Sequence, residues 1–385
     1  MKGYTRHNKI KLVFGGAAFF KAFKEMIDCA KESVHLQTYI FDCDKTGTEV
    51  ADALIAAAKR GLKVYVLADG FASKDLPEEF IQNMQNAGVQ FRFFEPILSS
   101  NSFYFGRRLH HKILVTDGLC GMVGGRNITD RYNDMPDEKA WFDLGLYTEG
   151  EVSVQLYKTC WALWEKKPSR RFKLSPEMTE RLKKLSDLKE TFVRVRRNDW
   201  VKRKNEIWKT YLELLLHAKD SVTIMSSYFL PGVLFRMAIK RALRRGVKIR
   251  VIVAGLSDVK IAKHAERYLY RWMLRNKIQV YEYQPTVLHA KMGIADEDLF
   301  TVGSYNVNDL SAYASIEANL DVKDRQFCKQ MKEELEKIIA KDCIHINEKT
   351  YTTSLISLRQ LMQWTSFNLL RAMLFASTFY YKQRE

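Results

Sequence analysis

Residues 110–127, HHKILVTDGLCGMVGGRN, and residues 289–306, HAKMGIADEDLFTVGSYN, carry the same residue types at the same spacing. His110, Lys112, Asp117, Gly124 and Asn127 find counterparts 179 positions on, in His289, Lys291, Asp296, Gly303 and Asn306. One type changes within the set, Gly125 to Ser304. The flanks repeat as well. In the first copy a helical pattern, AAFFKAFKEMIDCAKES, leads through VHLQTYIFD, TEVADALIAAAKRG, LKVYVLADG and PEEFIQNMQNAG to VQFRFFEP. In the second, EIWKTYLELLLHAKDS leads through VTIMSSYFL, VLFRMAIKRALRRG, VKIRVIVAG and HAERYLYRWMLRNK to IQVYEYQP. Helical and strand periodicities alternate in the same order in both, so the duplication covers whole α/β lobes. The boundaries read as 1–170 for the first lobe, 171–190 for a polar connector, 191–350 for the second lobe and 351–385 for a tail.

Strand parity places His110 with Lys112 on one face and turns His111 to the other; His289 and Lys291 share a face in the same way. An imidazole beside a fixed ammonium suits a phosphoryl group, because the lysine meets the oxygen charge while the imidazole attacks phosphorus or moves a proton. Glycines at 124, 125 and 303 let backbone approach a ligand, and Ser304, Asn127 and Asn306 offer further polar groups. Asp117, followed by Gly118, turns the chain out of its strand, and Asp296 does the same in the second copy. Asp143 in WFDLGL and Glu317 in SIEANL are acidic residues at related places downstream. His7, His35, His217, His264 and His345 have no patterned partner and read as ordinary packing or surface residues.

A chain of 385 residues with a hydrophobic content of 46% is long and apolar enough for two cores. No run of about 18 uncharged apolar residues occurs, so no spanning helix is expected. Six cysteines without C-x-x-C spacing (Cys29, Cys43, Cys120, Cys160, Cys328, Cys343) predict buried free thiols in a reducing compartment and no zinc site. The formal net charge of +17 favours a polyanionic partner, and charge alone does not separate nucleic acid from an anionic membrane.

H-x-K-x4-D with G-[GS]-x-N, present twice, resembles the signature of the phospholipase D superfamily. The run YVLADGFASKDLPEEFIQNMQNAGVQFRFFEP, followed by LHHKILVTDGLCGMVGGRNITDRY, is similar to bacterial cardiolipin synthases. The resemblance spans roughly residues 8–345. It implies two similar α/β lobes related by a pseudo-twofold axis, each a central mixed sheet flanked by helices, with one catalytic cleft. It also implies a catalytic set of His110, Lys112, Asp117, His289, Lys291 and Asp296, with His110 as nucleophile and His289 as acid and base by family analogy. Lys112, Gly125, Asn127, Lys291, Ser304 and Asn306 would bind the substrate phosphate, Asp143 and Glu317 would orient the histidines, and no metal or cofactor is called for. The implied reaction transfers a phosphatidyl group between phosphatidylglycerol molecules through a phosphohistidine. Hydrolysis of phospholipids is the alternative, and a nuclease, favoured by charge alone, comes after both. The chain departs from the common synthase plan in lacking paired N-terminal membrane helices.

Two segments bear on the partner. Between Pro96 and His110 stands ILSSNSFYFGRRL, where the second copy has only Thr286, Val287 and Leu288 before His289; this reads as a variable loop or a membrane-touching rim. The tail sets Leu358, Met362, Leu369 and Met373 at helical intervals among Arg359, Gln363 and Arg371, with Trp364, Phe367 and Phe375 nearby. Its internal arginines argue against spanning, leaving interfacial binding or packing on the protein itself. An anionic phospholipid surface is the expected partner, nucleic acid the second choice, and no protein partner is indicated. The expected location is cytoplasmic, peripheral at the inner face of the cell membrane.

Overall fold

The computed structural model describes residues 2–95, 107–165, 175–185, 190–308, 311, 315–348, 351, 360–370 and 372. Phe103, Tyr104 and Phe105 of the insertion, and most of the tail, lie outside these described residues. The chain divides into two compact units, one of residues 1–196, 302–304 and 316–322, the other of 197–301, 305–315 and 323–385.

The first unit runs β1 (Asn8–Phe14), α1 (Gly16–Cys29), β2 (Ser33–Thr38), α2 (Lys45–Lys59), β3 (Lys63–Asp69), α3 (Glu78–Asn86) and β4 (Gln90–Phe94). A short β5 (Arg108–Leu109) leads into β6 (Ile113–Thr116), β7 (Cys120–Gly124), β8 (Leu144–Gly150), α4 (Glu151–Trp164) and α5 (Pro176–Leu185). Its sheet is ordered β1-β8-β7-β6-β2-β3-β4. β2, β3 and β4 are parallel, as helical crossovers require, and β6, β7 and β8 form an antiparallel meander. Parity along β3 divides the core. Val64, Val66 and Ala68 join Phe23, Ile27, Val50 and Leu54 beneath α1 and α2, while Tyr65 and Leu67 join Leu109, Leu163, Trp164 and Ile316 on the other face. The strand β1 has no place in the sequence reading. It is an edge strand that pairs with β8 and exposes Lys9 and Lys11, a charged pattern that blunts further strand pairing and weakens the hydrophobic signal.

The chain continues with β9 (Phe192–Asp199), β10 (Lys204–Asn205), α6 (Glu206–His217), β11 (Ser221–Ser226), α7 (Val233–Arg244), β12 (Lys248–Leu256), α8 (Lys260–Tyr268) and α9 (Tyr270–Arg275). Then come β13 (Gln279–Val287), β14 (Met292–Ala295), β15 (Leu299–Gly303), β16 (Ser315–Lys323), α10 (Arg325–Asp342) and β17 (Cys343–Ile346). In the second unit the order β14-β11-β12-β13-β17 repeats the plan of the first, with parallel pairing of β11 to β12 and of β12 to β13. Ile207, Tyr211 and Leu214 of α6 and Phe235 and Ile239 of α7 pack on Val222, Ile224, Val251 and Val253. The single helix expected over HAERYLYRWMLRNK begins earlier and breaks at Leu269 into α8 and α9. Two charges near its start, Lys263 and Glu266, are buried. Lys263 Nζ donates to Glu266 (2.8 Å) and Tyr270 (2.8 Å) and lies 3.0 Å from Glu282.

All six cysteines are free, but only Cys160 and Cys328 are buried. Cys29 and Cys43 are exposed, because the first closes α1 at its surface end and the second lies in the loop before α2. Among the described residues no helix is long and apolar enough to cross a membrane.

His35 sits in β2 with its ring 4.5 Å from that of Tyr65, 4.8 Å from Tyr157 and 4.7 Å from Trp161. Burial lowers its pKa to about 3, so the folded chain keeps it neutral. Below pH ~6.5 the unfolded chain binds a proton that the folded chain refuses, and stability falls by about 1.4 kcal/mol per pH unit. Thermal melts between pH 7 and pH 5 will therefore show a steeper loss for the native chain than for His35→Phe. Equal slopes would remove this contribution.

Candidate active site

Neither H-x-K segment lies in a ladder strand, contrary to the sequence reading. His110 to Lys112 bridge β5 and β6, and His289 to Lys291 bridge β13 and β14. The alternation survives, because each segment still enters an extended strand. His111 is turned into the interior, where its Nδ1 meets Gln37 Oε1 at 2.9 Å. Lys112 Nζ folds back to donate to the carbonyl of His110 at 3.1 Å, and Lys291 Nζ donates to the carbonyl of His289. In both copies the ammonium is thereby tied to the backbone that carries the imidazole.

What else holds each lysine differs between the copies. Lys112 lies over the ring of Tyr39, 4.9 Å from its centroid, and that ring packs edge-to-face with His110, their centroids 4.9 Å apart. At the corresponding point after β11 the second copy has Ser227, whose Oγ accepts from Lys291 Nζ at 2.9 Å. Lys291 is fully buried. Burial, reinforced by the carboxylate of Asp69, pushes the Tyr39 hydroxyl up to about 12, so it stays protonated at neutral pH.

His110 Nδ1 lies 2.8 Å from Glu317 Oε2, and Glu317 is completely buried. The same oxygen accepts a hydrogen bond from Ser304 Oγ, which in turn accepts from the backbone N–H of Ala318 at 3.1 Å. A carboxylate on Nδ1 fixes the tautomer and leaves Nε2 with its lone pair available. Backbone also fixes the imidazole, since His110 N donates to the carbonyl of Ile316 at 3.0 Å. Next to it, Leu109 N donates to Asp69 Oδ2 at 2.8 Å, while Asp69 Oδ1 accepts from Phe71 and Ala72 at 3.0 Å each. Asp69 and Tyr39 escaped the sequence reading because neither recurs; the second copy has Ala254 and Ser227 at those places.

Asp143 is also fully buried, and its Oδ1 accepts from the N–H of Leu144 at 2.7 Å. Its main-chain carbonyl takes the guanidinium of Arg126, whose burial lowers the pKa to about 10. The carboxylate presses on Gly125. A Cβ built there would stand 2.4 Å from Asp143 Oδ2. Glycine and serine are therefore not interchangeable across the copies, although the motif treats them so. Gly125→Ser will lower stability by about 1–3 kcal/mol through overpacking beside a buried carboxylate, whereas Ser304→Gly, which loses hydrogen bonds without a clash, will cost about 1 kcal/mol. Denaturant melts of the two variants check the order; equal losses would refute it.

Asn127 spends its amide oxygen on the N–H of Ile40 (3.2 Å) and one N–H on the Tyr132 hydroxyl (3.1 Å), bracing the loop after β2. Asn306 is buried in the second unit, its backbone N–H donating to Ser311 Oγ at 3.3 Å. The two motif aspartates stand away from the imidazoles. Asp117 accepts from the N–H groups of Lys31, Glu32 and Ser33, and Asp296 from those of Lys219, Asp220 and Ser221, all at 2.8–3.1 Å. Each carboxylate pins the turn between the first helix and the next strand to the hairpin of its own copy. Burial opposes ionisation of Asp296, but the three N–H donors outweigh it and hold its carboxyl below the usual range. Both aspartates take a left-handed φ, 55° and 49°, which this residue tolerates better than most.

The family profile described as "Cardiolipin synthase, PLD-like domain" matches residues 23–158 and 211–339. Cardiolipin synthase B of Salmonella typhimurium is 34% identical over 350 residues, covering 90% of this chain and 84% of its own. Its Escherichia coli namesake is 33% identical over 347 residues, covering 89% and 83%. Among solved structures, phosphatidylserine synthase of Haemophilus influenzae superposes with a TM-score of 0.74 over 96% of this chain and 94% of its own, at 16% identity. That likeness is one of fold.

Proposed function

Because the chain belongs to the cardiolipin synthase, phospholipase D-like family, we propose that it transfers a phosphatidyl group from one phosphatidylglycerol to a hydroxyl of another, releasing glycerol. It is a phosphatidyltransferase of that family. The observation that carries the reading is the buried 2.8 Å contact of His110 Nδ1 with Glu317, beside an ammonium anchored to the His110 carbonyl.

In the first step His110 Nε2 attacks phosphorus and the bond from phosphorus to the glycerol oxygen breaks. His289 gives that oxygen its proton, and the Nδ1 proton of His110 stays on the hydrogen bond to Glu317. In the second step His289 takes the proton from a hydroxyl of the acceptor lipid. The resulting oxygen attacks phosphorus, the bond from phosphorus to nitrogen breaks, and His110 returns neutral. Lys112 and Lys291 set positive charge against the phosphoryl oxygens, and Tyr39, protonated beside His110, adds a donor on the same side. The second N–H of the Asn127 amide and the Asn306 side chain complete the phosphate contacts. Asp117 and Asp296 serve by shaping the two hairpins.

The substrate places the reaction at a membrane surface, and the tail supports that placement. Residues 360–370 form a helix that seats Gln363 and Phe367 on the second unit, with Tyr351 donating to Gln363 at 3.0 Å and Phe367 stacking 4.9 Å from Tyr268. Leu361, Met362, Trp364 and Leu369 of the same helix are exposed. One face of this helix packs on the protein, and the exposed apolar residues of the other support interfacial binding.

The test is product analysis after incubating the full chain with phosphatidylglycerol, phosphatidylethanolamine, a water-soluble phosphodiester and single-stranded DNA. Cardiolipin with equimolar glycerol is expected. Phosphatidate without cardiolipin would make it a hydrolase, and preferential DNA cleavage would replace the lipid reading.

A further inference from the structure

We propose that an exposed apolar rim of the second unit, made by Val233, Leu234 and Met237 of α7 with Leu256 and Val259, docks onto an anionic lipid bilayer; the inference rests on the lipid substrate proposed above. A helix that covers a sheet normally turns its apolar side inward, and α7 does so with Phe235, Ala238, Ile239 and Ala242. Its first turn is apolar outward as well, Leu234 being 67% exposed and Val233 57%. The outward face of α2, the matching helix of the first unit, carries Lys45, Thr48, Asp52 and Lys59. The apolar turn is therefore a property of this helix and not of the fold.

Its place ties it to the chemistry. β11 and β12 are parallel neighbours, so the loop into α7 and the turn after β12 emerge at one sheet edge, joined there by the hydrogen bond from Tyr228 to Asp258. Leu256, 53% exposed, pairs with Val287, two residues before His289. The rim thus borders the segment that carries the second histidine.

The charge around it selects the occupant. Farther along the outward face of α7 stand exposed Lys240, Arg241 and Arg244, and exposed Lys260 follows Val259. An apolar turn flanked by cations fits the boundary between acyl chains and anionic headgroups, where apolar burial and electrostatic attraction add. A soluble partner protein would have to match both.

The experiment measures cosedimentation of the full chain with vesicles of phosphatidylglycerol and phosphatidylcholine. Leu234→Glu with Met237→Glu is expected to weaken partitioning about tenfold or more, while turnover of a short-chain phosphatidylglycerol dispersed as monomers stays within about twofold of the native chain. In the opposite direction Leu234→Trp will strengthen partitioning several-fold, with the thermal unfolding midpoint unchanged and no pelleting in the absence of vesicles. Unchanged partitioning in both variants would overturn the proposal. So would loss of self-association in sedimentation velocity without loss of vesicle binding, since the face would then cover a second copy. Failure of the transferase reading would appear separately, as native chain that binds vesicles and makes no cardiolipin.

Discussion

Alanine in place of His110 or His289 will stop phosphatidyl transfer, lowering turnover on the order of 10³-fold or more, while the thermal unfolding midpoint stays close to that of the native chain. Each histidine serves a different bond. Without His110 no covalent phosphoryl intermediate forms, and without His289 the departing glycerol oxygen leaves unprotonated and the acceptor hydroxyl keeps its proton. Radiolabelled phosphatidylglycerol, quenched and resolved by product, gives the rates; an acid-labile adduct is expected on His110 and missing from His110→Ala. A folded His289→Ala enzyme with near-native turnover would end the two-step assignment. His111→Ala is the control, since His111 meets Gln37 in the interior, and its effect on turnover should be far smaller than that of either motif histidine.

Exchanging Glu317 for glutamine will cost about 10²–10⁴ in turnover with almost no change in volume. Glutamine presents either a weaker acceptor to His110 Nδ1 or an N–H that forces the proton onto Nε2, the nitrogen that must attack. The Ser304 hydroxyl, which now donates to Glu317, does not restore the lost charge. Ser304→Ala, which leaves the carboxylate in place, should lie within about tenfold of the native rate. Measuring both variants as kcat at saturating vesicles, with denaturant melts in parallel, separates orientation of the imidazole from general destabilisation. Equal kcat in Glu317→Gln and the native chain would remove the carboxylate from the mechanism.

Reading by repetition explains both what the chain disclosed and what it hid. His110 and His289, the lysines two residues on and the acidic residues downstream stand out because they occur twice, and the alternating helices and strands around them follow from amphipathic period. Tyr39 and Asp69 were invisible on the same ground, being placed where the second copy has Ser227 and Ala254. The break at Leu269 was missed for another reason. Lys263 and Glu266 look like a solvated helix face until tertiary packing buries them with Glu282 and Tyr270. Edge strands with alternating lysines, such as β1, offer too little apolar contrast to register, and only pairing with β8 defines them. Strand parity for His110 and Lys112 gave the right faces although the residues lie just outside a strand.

The grouping of residues 316–322 with the first unit bears on how the chain is made. Ile316 fills part of the face that Tyr65, Leu109 and Trp164 leave open, so that face stays uncovered until the ribosome has passed Val322. The delay after Arg196 is 322 − 196 = 126 residues, about 6–25 s at ordinary elongation rates. During that interval the nascent first half lacks the Ile316 side chain on its aromatic, apolar face. A message broken between codons 197 and 315 would release a product with the His110 loop present and its carboxylate never translated.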